Sequence, residues 1–137
     1  MTIVDSTVWV DHFNGRPTVQ VRLLHQCLGS VELGIGDLIL CEVLQGFREE
    51  REFAAARRAL LTFPVFSMVG PTVAEKAAGN YRFLRKRGVT IRKTIDLLIA
   101  TFVMERGFNL LHNDSDFDPF EKELGLQVLR VAGASTT

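Results

Sequence analysis

Apolar residues in this chain come in short, nearly unbroken runs, each closed by Gly, Pro or an acid, rather than in the strict alternation of half-exposed strands. Thr2 to Val4 reads as a first strand that ends at Asp5, with a helix beginning on Ser6-Thr7. Asn14-Gly15 is a turn. Pro17 opens a helix to about Leu28, with Val19, Leu23 and Cys27 on its inner face. Val31 to Ile35 fits a strand, and Gly36-Asp37 turns into the apolar helix Leu38 to Phe47, whose only acid is Glu42. Glu49 to Leu61 mixes charges with Phe53, Ala54, Leu60 and Leu61, as in a solvated helix that packs one face.

Phe63 to Ser67 is a short strand or connector. Thr72 and Glu75, preceded by Pro71, have capping-box spacing and start a helix with Val73, Ala77, Tyr81 and Leu84 at core spacing, ended by Gly88. The run from Ile95 to Met104 is apolar on all sides, so a buried helix is expected there, closed by Gly107. Phe108 to His112 reads as a buried strand. Asp118-Pro119 with Glu121 reads as an N-cap and helix start, Gly125 as its stop, Gln127 to Val131 as a last strand, and 131–137 as a frayed tail. Buried strands alternating with helices predict one α/β domain over residues 1–137, with a mostly parallel sheet covered on both faces.

At 47% hydrophobic and 137 residues, the chain supports one core and not two. Sixteen basic residues balance sixteen acids, so any nucleic-acid contact must use a local patch. No run approaches the about 18 apolar residues of a membrane span, and the start lacks a signal-peptide pattern, so a cytoplasmic protein without membrane association is expected. Cys27 and Cys41 lie in apolar patterns without ligand spacing and read as buried thiols; Trp9 reads as core or dimer surface. His12, His25 and His112 are isolated in sequence, with His112 alone near the acids discussed next.

Asp5, Glu42, Asp96, Asp114 and Asp116 each interrupt or directly end an apolar segment, where an ionised carboxylate is costly unless something compensates it. A divalent cation would do so, and hard oxygen donors without His or Cys suit Mg²⁺ or Mn²⁺. Such a site can activate water and stabilise an in-line phosphoryl displacement. A calcium loop over Asp114, Asp116 and Asp118 is excluded by Pro119 and Gly125, which stand where that loop needs Gly and Glu. No Walker motif is present. Arg82 to Lys93 carries six basic residues and no acid; Arg85, Lys86, Arg87, Arg92 and Lys93 are candidates for holding nucleic-acid phosphates, against the plainer reading of a solvated helix end.

In order, Val4-Asp5-Ser6-Thr7, Glu42-Val43-Leu44-Gln45-Gly46-Phe47, Thr94-Ile95-Asp96-Leu97-Leu98-Ile99-Ala100 and Asn113-Asp114-Ser115-Asp116-Phe117 closely resemble the PIN-domain ribonucleases. Length and spacing fit best the VapC toxins of bacterial type II toxin-antitoxin pairs. The resemblance implies an α/β/α sandwich, Mg²⁺- or Mn²⁺-dependent endoribonuclease activity on tRNA or ribosomal RNA, a toxin homodimer, and a hetero-oligomer with a VapB-type antitoxin. Asp5, Glu42, Asp96 and Asp114 match the family's acidic quartet, Asp116 an additional acid, Thr94 a hydroxyl position and Ser6 the residue after the first Asp. Asp5, Asp96 and Asp114 are expected to anchor the metal with Asp116 in support, and Glu42 to position or deprotonate water. Two rivals are a catalytically idle PIN-like binding module, which predicts a missing acid, and a phosphoacceptor receiver-like domain, which wants a Lys where the last strand ends at Arg130-Val131.

Overall fold

The computed structural model describes residues 1–130. Strands β1 (Thr2–Val4), β2 (Leu33–Gly36), β3 (Val65–Phe66) and β4 (Asn109–Leu111) form one parallel sheet in the order β3-β2-β1-β4. Thr2 pairs with Leu33 on one side and Asn109 on the other, so the strands on which the first and last acids follow are neighbours. Helices α1 (Ser6–Phe13), α2 (Val19–Cys27), α3 (Asp37–Leu44), α4 (Glu50–Leu60), α5 (Pro71–Lys86), α6 (Thr94–Arg106) and α7 (Asp118–Leu124) flank it, giving the expected α/β/α arrangement. Among the described residues no helix is long and apolar enough to cross a membrane.

Burial follows the apolar runs. Ile3, Val4, Ile35, Leu110 and Leu111 from the sheet meet Leu24, Ile39, Leu60, Leu84, Ile99, Phe102 and Phe120 from the helices. Helix α6 is buried nearly all round, which is why its sequence carries almost no polar face. Gly107 ends it at φ 64°, a left-handed conformation that Gly adopts without a Cβ clash. At the end of β2, a Cβ on Gly36 would lie 2.1 Å from Met68 Sδ, so the glycine lets the Met68 side chain pack against the start of α3.

Several expectations need correction. Helix α5 begins two residues earlier than the capping box implies: Gly70, at φ 101°, is the cap, Pro71 holds the first turn, and the Thr72 side chain caps nothing. Asp118 is not an N-cap either. A 3-10 turn at Ser115–Phe117 runs straight into α7, leaving Asp118 with helical angles (φ −56°, ψ −40°) instead of the extended ones a cap requires. The last strand reduces to a single parallel bridge, Leu110 with Val128; Val131 and the tail 131–137 lie outside the described residues. Val19 is 50% exposed, and Val21 and Leu24 take the inner face with Leu23 and Cys27. Leu61 is exposed, while Ala56 and Leu60 carry the buried face of α4. Cys41 is exposed, not buried; Cys27 is buried as expected. Trp9 is core.

Candidate active site

Parallel pairing of β1 and β4 brings two chain segments over a hundred residues apart to one edge of the sheet. Asp5 follows β1 directly and caps α1, accepting the Thr7 amide at 3.2 Å and the Thr7 hydroxyl at 2.7 Å on Oδ2. The Thr7 hydroxyl also accepts the Asn113 amide at 3.1 Å, tying the exits of β1 and β4 together. Asp114 caps the 3-10 turn, accepting the Asp116 amide at 2.9 Å on Oδ1. Its own amide donates to His112 Nδ1 at 3.1 Å. His112 is buried and lies against Phe117 with ring centroids 4.9 Å apart and planes tilted by 47°. A neutral His112 with Nδ1 as acceptor carries its proton on Nε2, and burial does hold its pKa below the usual range.

The first turn of α6 adds Asp96, and the last turn of α3 adds Glu42. Carboxylate oxygens of Asp96, Asp114 and Asp116 all lie within 4.8 Å of one another, close enough to share one ion. Asp5 and Glu42 fall outside that radius but interact electrostatically with Asp96. Asp5 is 2% exposed and Asp96 6%; Asp96 Oδ2 and Glu42 Oε1 are buried, and neither has a hydrogen-bond partner among the described residues.

An orphaned carboxylate oxygen at that depth is expensive as an anion. Accordingly, burial pushes Asp96 up to about 7, the charges of Asp5 and Asp114 add to it, Lys93 offsets part, and Glu42 adds again. Glu42 is raised by burial and then by Asp5, with Ser6 working the other way. Asp5 is raised by burial against its bonds from Thr7. Burial and mutual repulsion oppose ionisation of Asp5, Glu42 and Asp96; with only oxygen donors in the close group, the cluster fits a hard divalent cation, which would reverse the penalty.

Of the basic stretch, only Lys93 reaches the acids: its Nζ lies 3.5 Å from Asp116 Oδ2 and 3.9 Å from Asp114 Oδ2. Arg87 pairs with Glu123 at 3.3 Å and Arg85 lies over Tyr81. Arg85, Lys86, Arg87 and Arg92 are exposed. Thr94 opens α6 and lines an open groove with Tyr81, Arg85 and Leu98. Ser6 and Glu42 line another groove, of about 410 Å³, with Thr7, Arg16 and Asn113. His12 and His25, isolated in sequence, meet at 3.0 Å where α1 and α2 pack. Thr7 and His112 are the positioning residues that spacing alone did not assign; the only signal was their place two residues from an acid.

The PIN domain family model matches residues 2–123. The chain therefore belongs to the PIN-domain family. Within it the chain groups with the VapC ribonucleases: it is 31% identical over 103 residues to ribonuclease VapC19 of Mycobacterium tuberculosis, covering 73% of this chain and 78% of that one. A VapC ribonuclease of Mycobacterium bovis is 26% identical over 129 residues, covering 93% of this chain and 96% of its own. The fold is shared with VapBC2 from Rickettsia felis, solved bound to a DNA fragment from its promoter, at a TM-score of 0.72 and 17% identity over 93% of this chain and 96% of that one.

Proposed function

We propose that this chain is a Mg²⁺- or Mn²⁺-dependent endoribonuclease, the toxin of a toxin-antitoxin pair, which cuts an exposed segment of tRNA or ribosomal RNA. The observation that carries the reading is the buried, partnerless Asp96 Oδ2 beside Asp114 and Asp116, which follow β4, the parallel neighbour of the strand that ends at Asp5. Ligand sites of open α/β sheets gather at such strand ends. Family membership names the chemistry that this arrangement suits.

Asp96 and Asp114 would hold the ion directly, with Asp5 and Asp116 supporting it directly or through water. When bound, the ion supplies charge stabilisation at the scissile phosphate and lowers the cost of ionising water. The protein's own work is to fix donors and move a proton. Thr7 locks the Asp5 carboxylate, His112 locks the Asp114 backbone, and Glu42, made more basic by burial, takes the proton of the attacking water on Oε1. Ser6, at the start of α1, stands beside Glu42, and Thr94 opens the helix that presents Asp96. Arg85, Lys86, Arg87 and Arg92, exposed on the stretch that leads into α6, would hold RNA phosphates against an otherwise repulsive acid cluster.

The partners are a VapB-type antitoxin, in a hetero-oligomer, and a second copy of the chain in a homodimer. The VapBC complex from Rickettsia felis supports the antitoxin assignment.

Induced expression in a bacterial host tests the reading. Wild type should arrest growth and yield discrete RNA fragments whose mapped ends name the substrate, and Asp96→Asn should do neither. Equal arrest by both, with equal fragments, would remove the acids from the mechanism.

A further inference from the structure

The cluster has two ends with different electrostatics. At the inner end, Asp5 and Asp96 are almost completely buried, and among the described residues Asp96 Oδ2 has no hydrogen-bond partner and no ammonium or guanidinium lies within ion-pair distance of either acid. At the outer end, Asp114 and Asp116 are partly exposed and the Lys93 ammonium bridges them, at 3.9 and 3.5 Å. Lys93 immediately precedes α6, so the backbone that presents Asp96 also delivers this charge to the mouth of the site. The side chain reaches in from the solvent side and stays more than half exposed.

We propose that Lys93 is the second cation of this site: it occupies the place between Asp114 and Asp116 that a second divalent ion would take, and so limits the site to one metal ion per chain. The inference rests on the metal-dependent reading above. A lysine suits the role because its ammonium is a compact, strongly hydrated point charge on a flexible stem, able to sit between two carboxylates without fixed coordination geometry. It neutralises one unit of charge where a divalent ion would neutralise two. The inner carboxylates form no direct ion pair with Lys93, whose charge offsets only part of the penalty on Asp96; the rest is left to compensation by the divalent ion. With RNA bound, the same ammonium lies at the edge of the acids, where a phosphate oxygen of the cut strand would meet a positive charge that needs no metal loading.

Counting Mn²⁺ bound to metal-stripped protein tests this without reference to activity, by calorimetry and by loss of the free-ion paramagnetic resonance signal, carried to millimolar Mn²⁺. Wild type and Lys93→Arg should each bind one ion per chain. Lys93→Gln should bind two, and Lys93→Gln combined with Asp116→Asn should return to one. Lys93 is exposed, so these variants should fold, and unchanged circular dichroism would document it. Two ions in wild type, or one in Lys93→Gln, would overturn the proposal while leaving a metal site intact. No ion in wild type would overturn the metal-dependent reading itself and this inference with it.

Discussion

The Thr7 hydroxyl donates to Asp5 Oδ2 at 2.7 Å while accepting the backbone amide of Asn113 at 3.1 Å. One side chain thus fixes the rotamer of a nearly buried acid and clamps the loop that carries Asp114. Replacing Thr7 by Val keeps the shape and removes both bonds. A buried carboxylate that loses a donor should cost about 1–3 kcal/mol, read as a lowered denaturation midpoint, together with weaker Mn²⁺ binding. Thr7→Ser keeps the hydroxyl and should keep most of both. Equal loss in the two variants would show that packing, and not the bond, matters.

His112 offers a second test by shape. Its Nδ1 accepts the Asp114 amide, and an Asn side chain carries Oδ1 the same number of bonds from Cα. His112→Asn should therefore retain Mn²⁺ affinity better than His112→Gln or His112→Leu. Equal affinity in all three would mean that Asp114 is positioned without this bond.

Asp96 should make the stability of the metal-free protein depend on pH in an unusual direction. Asp96 is raised from 3.8 to about 7, so the folded state binds its proton more tightly than the unfolded chain does. That stabilising effect is absent well above pH 7, grows as pH falls through 7, and levels off below the ordinary aspartate range. One such proton gives at most about 1.4 kcal/mol per pH unit. His112 and His12, held below their ordinary range by burial, act in the opposite direction over the same window, so the test is a difference: in EDTA between about pH 8 and pH 5, wild type should gain stability relative to Asp96→Asn as pH falls through 7. Parallel curves for the two proteins would contradict the burial argument.

Gly36 links the core to Glu42. A Cβ there would stand 2.1 to 2.7 Å from three atoms of the buried Met68 side chain. Gly36→Ala should cost about 1–3 kcal/mol from overpacking and disturb the start of α3, the helix that carries Glu42. Adding Met68→Ala should relieve the clash, although it leaves a cavity of its own; coupling between the two substitutions in a double-mutant cycle is the measurement. Strict additivity would show that Met68 simply moves aside.

Much of this arrangement is legible in the residues because the acids stand out against apolar surroundings. Asp96 inside the α6 run, Asp5 at the end of β1 and Asp114 just beyond β4 are each visible as charges that burial alone would reject. What sequence spacing does not reveal is decided partly by the backbone directly before a residue and partly by neighbours distant along the chain. The Thr72 capping box fails because Gly70 and Pro71 already supply the start of α5. Asp118 loses its cap role because the 3-10 turn capped by Asp114 feeds α7 without a break. Lys93 looks like one more phosphate-binding lysine in a basic stretch until the fold lays it across Asp114 and Asp116, and His12 meets His25 only through the packing of α1 on α2.

The most direct test of the central claim is cleavage of a purified small-RNA pool by the metal-stripped protein, re-supplied with Mg²⁺ or Mn²⁺, beside EDTA and Asp96→Asn. Discrete fragments that require the added ion and vanish with Asp96→Asn are the expected result. Fragments that form equally in EDTA, or equally with Asp96→Asn, would contradict a metal-dependent nuclease built on these carboxylates.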